Sequence, residues 1–219
     1  MRAVLKPWLI KSVAAVCVGF VALLSVVSPL GAFLESTLTL HMILQHFLYI
    51  AGGFLLVYGA DVLTWVGSRL SKNISGVYSM FLKANSILGM YGTATLIAAS
   101  SIIAYWYLPS NFDAGLLKAS VHFEMHLSLV VAGGLIYVGS KFLTRRANLF
   151  APVIVAKAMG LFGALMLVTP TAIYSVYPLT EQTETGVVSV IIMLVVDLTL
   201  MPILLYNYFG RGIHVNSRI

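Results

Sequence analysis

Residues 38–60 read LTLHMILQHFLYIAGGFLLVYGA, a stretch with no charged side chain. As a helix rising about 1.5 Å per residue, it is long enough to cross about 30 Å of hydrocarbon. Comparable apolar runs occur at about 12–34, 87–108, 116–139, 151–173 and 186–208, which makes six. A membrane β-barrel would show alternating segments of about ten residues instead, and the runs do not alternate. Composition agrees: 60% of the 219 residues are hydrophobic and 9% charged, against about 25% charged in a soluble domain. Mean hydropathy is +0.97. A soluble enzyme, a disordered chain and a disulfide scaffold are excluded. The expected fold is all-α: a polytopic membrane helix bundle of six transmembrane helices. It forms a single transmembrane domain over 1–219, in the cell (plasma) membrane.

The charges orient this bundle. The net charge is +6, from 13 Lys+Arg and 7 Asp+Glu. On one side fall Arg2 and Lys6, then Arg69, Lys72 and Lys83, then Lys141, Arg145 and Arg146, then Arg211 and Arg218. On the other fall Glu35, then Asp113 with Lys118, then Glu181 and Glu184. Basic loops stay in the cytoplasm, so both termini are expected there. The same placement removes nucleic acid as a partner, because the positive charge is spent on loops facing the bilayer. Residues 1–34 have the outline of a signal peptide with a cut near Gly31-Ala32. The apolar part exceeds the usual 7–15 or so residues of such a core, so a retained first span is expected. The longest loop, about 61–86, mixes apolar and basic residues and reads as an interfacial helix. Asn73-Ile74-Ser75 lies on the cytoplasmic side, where glycosylation does not act. The single cysteine, Cys17, cannot form an internal disulfide.

Two spans resemble each other. In both, His41 and His122 stand ten residues before an Ala-Gly-Gly, at 51–53 and 132–134. Four of the five histidines (His41, His46, His122 and His126) fall in the outer halves of these spans, while His214 belongs to the tail. Polar groups at membrane depth are expensive and point to function. His122 and His126 are one helical turn apart, on a face about 40° wide. His46 lies about 140° from His41 on an α-helix, so those two flank a wider face that also holds Met42, Gln45, Tyr49 and Gly52. Met125 adjoins the His122/His126 face, whereas Glu124 points away. Imidazole suits copper, iron and zinc, and thioether sulfur adds a preference for Cu(I). A metal set of His41, His46, His122 and His126 is therefore expected, with Met42 and Met125 as further ligands and copper as the ion. One haem b held by two of the same histidines is the alternative; two stacked haems would need paired histidines about 13–14 positions apart. The plain alternative is that each ring hydrogen-bonds a neighbouring helix.

Lys157 and Asp197 are placed at similar depth on the last two spans, and an intramembrane ion pair is expected, with a proton relay at Asp197 as the lesser reading. Ala156, Gly160 and Ala164 form a small-residue stripe suited to packing. No GxGxxG, P-loop, GxSxG or HExxH pattern is present, so no enzyme of those classes is expected.

The stretch Trp106-Tyr107-Leu108-Pro109, then Phe112-Asp113-Ala114, then His122-Phe-Glu-Met-His126-Leu127-Ser128, resembles the CtaG-like membrane proteins. These are assembly factors for caa-type cytochrome c oxidase; a related archaeal membrane family has a similar pattern. His41-Met42-Ile-Leu-Gln45-His46 resembles the family's earlier histidine element. Tyr107 stands where the family's Trp-His element has histidine. The resemblance implies a role in maturing a haem–copper oxidase, copper delivery, and oxidase subunits as partners, with His41, His46, His122 and His126 as the positions carried over. Three readings follow: a copper-holding assembly factor, a subunit with one haem b, and a structural subunit of a membrane complex.

Overall fold

The computed structural model describes residues 7–27, 29–68 and 72–213. Arg2, Lys6, Arg69, His214 and Arg218 lie outside the described residues. The described residues form helices and no strand. The chain divides into two compact units, Met1–Phe142 and Leu143–Ile219.

The first unit contains α1 (Pro7–Val27), α2 (Pro29–Leu34), a π-helical turn (Leu40–Gln45), α3 (His46–Ser68), α4 (Lys72–Met90), α5 (Gly92–Tyr107), α6 (Pro109–Leu117) and α7 (Ala119–Phe142). The break between α5 and α6 is set by Pro109. Its ring disfavours a helical Leu108, which is extended at φ −66°, ψ 132°, and proline then occupies the first position of α6. Lys118 is extended as well and turns the chain into α7.

Among the described residues, four helical segments are long and apolar enough to cross a membrane: Leu40–Ser68, Ala119–Phe142, Ala151–Val168 and Leu179–Tyr206. A fifth crossing results if Ser75–Ile87 and Gly92–Tyr107, which meet at 84°, are one bent span. The expected span at 12–34 falls on α1 and α2. In the stretch 61–86, expected to carry an interfacial helix, α3 continues to Ser68 and α4 follows before the sharp turn into α5.

α3 and α7 touch through glycine. A Cβ built on Gly53 would lie 2.0 Å from the Val130 carbonyl oxygen, and one on Gly133 would lie 2.0 Å from that of Ile50. No described glycine has a positive φ, so these two act by lacking a side chain. The two helices run in the same direction, and the crossing fixes how far apart the residues at their N-terminal ends stand.

The second unit contains α8 (Arg145–Val168) and α9 (Leu179–Ile213). Thr144 caps α8 through its hydroxyl, which accepts from the Ala147 N–H at 3.2 Å. The packing stripe differs from the expected one. Gly160 and Gly163 face α9, where a Cβ would meet Met193 or Ser189, while Ala164 is exposed. The buried line on α8 runs through Val153, Ala156, Gly160, Gly163 and Met166, so Ala156 and Gly160 of the expected stripe belong to it and Ala164 does not. Large apolar side chains such as Ile191, Val195 and Leu198 point outward, a placement that lipid tolerates and water does not.

The loop between α8 and α9 is held by the buried Gln182. Its Oε1 accepts from the Ile173 and Tyr174 N–H groups at 2.6 and 3.2 Å, and its Nε2 donates to the Tyr174 and Tyr177 carbonyls at 3.0 and 2.8 Å. Gln182→Leu is expected to destabilise this helix pair by about 2–4 kcal/mol, since it strands buried backbone groups. Thermal unfolding in detergent with limited proteolysis checks this; cleavage between 169 and 178 should appear first.

Candidate functional site

The site stands at the N-terminal ends of α3 and α7. On a regular α-helix His41 and His46 would diverge. Here the chain from Leu40 to Gln45 is a π-helix, and the His46 N–H donates to the His41 carbonyl five residues earlier. With about 4.4 residues per turn, positions i and i+5 come onto one face. The two rings are 4.9 Å apart between centroids. The wide face expected from α-helical geometry is thus narrowed, because the local pitch changes under these two residues.

α7 supplies His122 and His126, whose rings are 4.1 Å apart. His126 is 6.0 Å from His41 and 6.4 Å from His46, and His41 is 5.9 Å from His122. Phe112 of α6, fully buried, closes the pocket against His41 and His46 at 5.3 and 6.0 Å.

The four rings are not equivalent. His41, His46 and His126 are buried, and one nitrogen from each lies within 4.8 Å of the others. Among the described residues, both nitrogens of His41, both of His46 and Nε2 of His126 have no hydrogen-bond partner. His122, by contrast, has both nitrogens engaged: Nδ1 with the Gly115 carbonyl at 3.1 Å and Nε2 with Glu35 Oε1 at 3.2 Å. Gln45 Nε2 donates to the same carboxylate oxygen at 3.1 Å. The expected set of four is therefore brought together as three open rings and one ring tied to a carboxylate.

Second partners orient the rings. Tyr49 stacks on His126 at 4.2 Å and 23°, and its hydroxyl is 2.9 Å from His126 Nδ1. If Nδ1–H donates to that hydroxyl, Nε2 keeps its lone pair facing the pocket, the usual pattern for a ligating imidazole. Tyr107 packs edge-on to His46 at 5.7 Å and donates to the Met42 carbonyl at 3.0 Å. Met42 and Met125 are buried, and the Met125 sulfur packs over Gly115 beside an apolar cluster of Tyr49, Trp106 and Leu129.

Imidazoles sharing one ion at about 2.0–2.1 Å hold their nitrogens about 3.3–3.6 Å apart. The nitrogens here lie within 4.8 Å of one another, so holding one ion asks them to close by up to about 1.5 Å. The donor set of three buried, carboxylate-free imidazoles fits a soft or borderline ion such as copper and does not suit magnesium or calcium.

The sequence profile of the cytochrome c oxidase caa3 assembly factor family (Caa3_CtaG) matches residues 1–210. The chain belongs to that family. No match is found among curated proteins or among solved structures. The residues that carried the sequence resemblance support the assembly factor's histidine pocket from below. The Trp106 indole N–H donates to Ser128 Oγ at 2.6 Å, and that hydroxyl donates to the Met125 carbonyl at 2.8 Å, tying α5 to α7 two residues past His126.

Among the described residues of the assembly factor, two further ion pairs lie away from this pocket. Lys157 of α8 and Asp197 of α9 bond to each other, with the lysine side chain 47% exposed. The sequence reading missed the other pair. Asp61, assigned to a loop, sits on α3 and accepts from both Tyr137 Oη and Lys141 Nζ of α7. A cleft of about 360 Å³ adjoins them, lined by Asp61, Val62, Trp65, Tyr78 and Lys141. A signal was available: pairing the two similar spans in register from His41/His122 brings Asp61 down to the level of Lys141. Glu35 was missed as well, because it was counted only as an outer-loop charge.

Proposed function

We propose that this assembly factor holds a copper ion between its two histidine-bearing helices and carries it as cargo toward a haem–copper oxidase. The ion would sit among His41, His46 and His126, near the outer face of a six-span protein with both ends in the cytoplasm of a cell whose plasma membrane houses the oxidase. The role is one of holding and transfer, without bond-making catalysis, and its partners are oxidase subunits.

One observation carries this reading: three buried imidazoles each bring a nitrogen within 4.8 Å of the other two, and each has a nitrogen without a hydrogen-bond partner among the described residues. A buried polar group without a partner costs about 1–3 kcal/mol, and an ion that takes one lone pair from each ring removes part of that cost. An ion also fits better than one haem b. The room that small residues could have given a porphyrin is filled at Gly53 and Gly133 by the facing helix backbone.

Metal analysis and an absorption spectrum of the protein purified from membranes test the proposal. About one copper per chain after exposure to Cu(I), with no Soret band, is the expected outcome. A Soret band, or failure to retain copper, would remove it.

A further inference from the structure

Resting on the copper reading above, we infer that Glu35 and His122 form an entry station through which the ion reaches the three buried imidazoles. Their positions follow a gradient of exposure. The Glu35 side chain is 35% exposed and that of His122 21%, while His126, His46 and His41 are at 7%, 1% and 0% as whole residues. Glu35 is thus at the rim, His122 just inside it, and the trio at the bottom.

The separations suit a hand-over. Glu35 Oε1 and His122 Nε2 are 3.2 Å apart, close to the distance between two donors on one ion at about 2.0–2.2 Å. His122 is in edge contact with His126 at 4.1 Å, and His126 leads to His41 and His46. Glu35 is held in place from both sides. Its N–H donates to the Gly31 carbonyl at 3.0 Å, and its carboxylate accepts from Gln45 in the π-helical turn. The rim is therefore built on the same turn that aligns His41 and His46.

The step is a ligand exchange with no change in oxidation state. The arriving Cu(I) gains the Glu35 oxygen and His122 Nε2 as it loses ligands from its carrier. The proton of the Glu35–His122 hydrogen bond passes to water. His126 Nε2 then replaces the carboxylate oxygen, and His41 and His46 complete the set as His122 Nε2 leaves the ion and takes a proton back from water, restoring its hydrogen bond with Glu35. A carboxylate at the mouth also raises the local concentration of cations. A purely structural Glu35, holding Gln45 and His122 in place, would change retention and stability and leave no separate mark on the uptake rate.

The test uses the full chain in detergent, with Cu(I) supplied by a chromophoric Cu(I) chelator, and reads both the stopped-flow uptake rate and the equilibrium end-point. Glu35→Gln is expected to reach the wild-type end-point with uptake slowed about tenfold or more, and Glu35→Asp to stay fast. Wild-type uptake in a folded Glu35→Gln chain overturns the inference and leaves the trio standing. An end-point affinity lowered as far as in His46→Ala also overturns it, because Glu35 would then be a retaining ligand. If Glu35→Gln does not fold, His122→Asn takes its place in the same two comparisons. Equal, negligible uptake by wild type and His46→Ala defeats the copper reading itself, an outcome distinct from the others.

Discussion

Gly133→Ala is expected to cost about 3 kcal/mol or more and to open the histidine pocket. The added methyl would stand 2.0 Å from the Ile50 carbonyl oxygen, which is helix backbone and has no rotamer to yield. Overpacking a side-chain core costs about 1–3 kcal/mol because neighbours repack. Here α3 and α7 must separate instead. Gly53→Ala meets the Val130 carbonyl in the same way and should behave alike. Gly76→Ala is the internal control: it lies inside α4 with nothing within 4 Å of the new methyl. Alanine there should be neutral or stabilising by up to about 1 kcal/mol, from helix propensity alone. Thermal unfolding in detergent of the three variants checks this. Equal melting of Gly133→Ala and Gly76→Ala would show that the crossing is not the close contact described.

His46→Ala is expected to abolish copper retention while barely changing the stability of the metal-free protein. Losing a group that merely orients a ligand already costs about 10–100-fold in metal affinity, and losing the ligand costs more. The remaining rings, His41 and His126, are 6.0 Å apart and would have to hold the ion without the third donor. Stability responds differently. Among the described residues both His46 nitrogens lack a hydrogen-bond partner, so alanine breaks no such bond there and removes two buried polar atoms whose burial is unfavourable. That gain offsets part of the cavity penalty of a large-to-small change. A histidine serving only as a helix tie would give the reverse pattern, with lost stability and unchanged copper. His122→Ala separates a site of three from a site of four: its equilibrium copper content should stay near wild type. Metal analysis and melting curves on the three proteins read both quantities.

Much of the protein was legible before its structure. Runs such as 38–60 and 186–208 announce membrane helices because apolar length is a local property that lipid reads directly. The four outer histidines stood out for the same reason, being polar groups at costly depth. The helical address of His41 and His46 did not follow, because it assumed 3.6 residues per turn where the chain adopts a π-helix. Lys157 and Asp197 could be paired by counting turns from the ends of two neighbouring spans. Glu35 could not be paired with His122 in that way, since 87 positions separate them and a loop brings the carboxylate back over the pocket.

The sequence alone determined that this is an all-helical membrane chain of the oxidase assembly factor kind, with imidazoles gathered toward one end of two spans. Tertiary structure decided which nitrogens meet. Only the π-helical turn puts His41 beside His46, only the glycine contact between α3 and α7 brings His126 to them, and only the path of the chain before the turn ties His122 to Glu35. The reason is physical: hydrophobic length and residue type act position by position along the chain. Distances of a few ångström between side chains depend on helix pitch and helix approach, which the whole packed unit sets together.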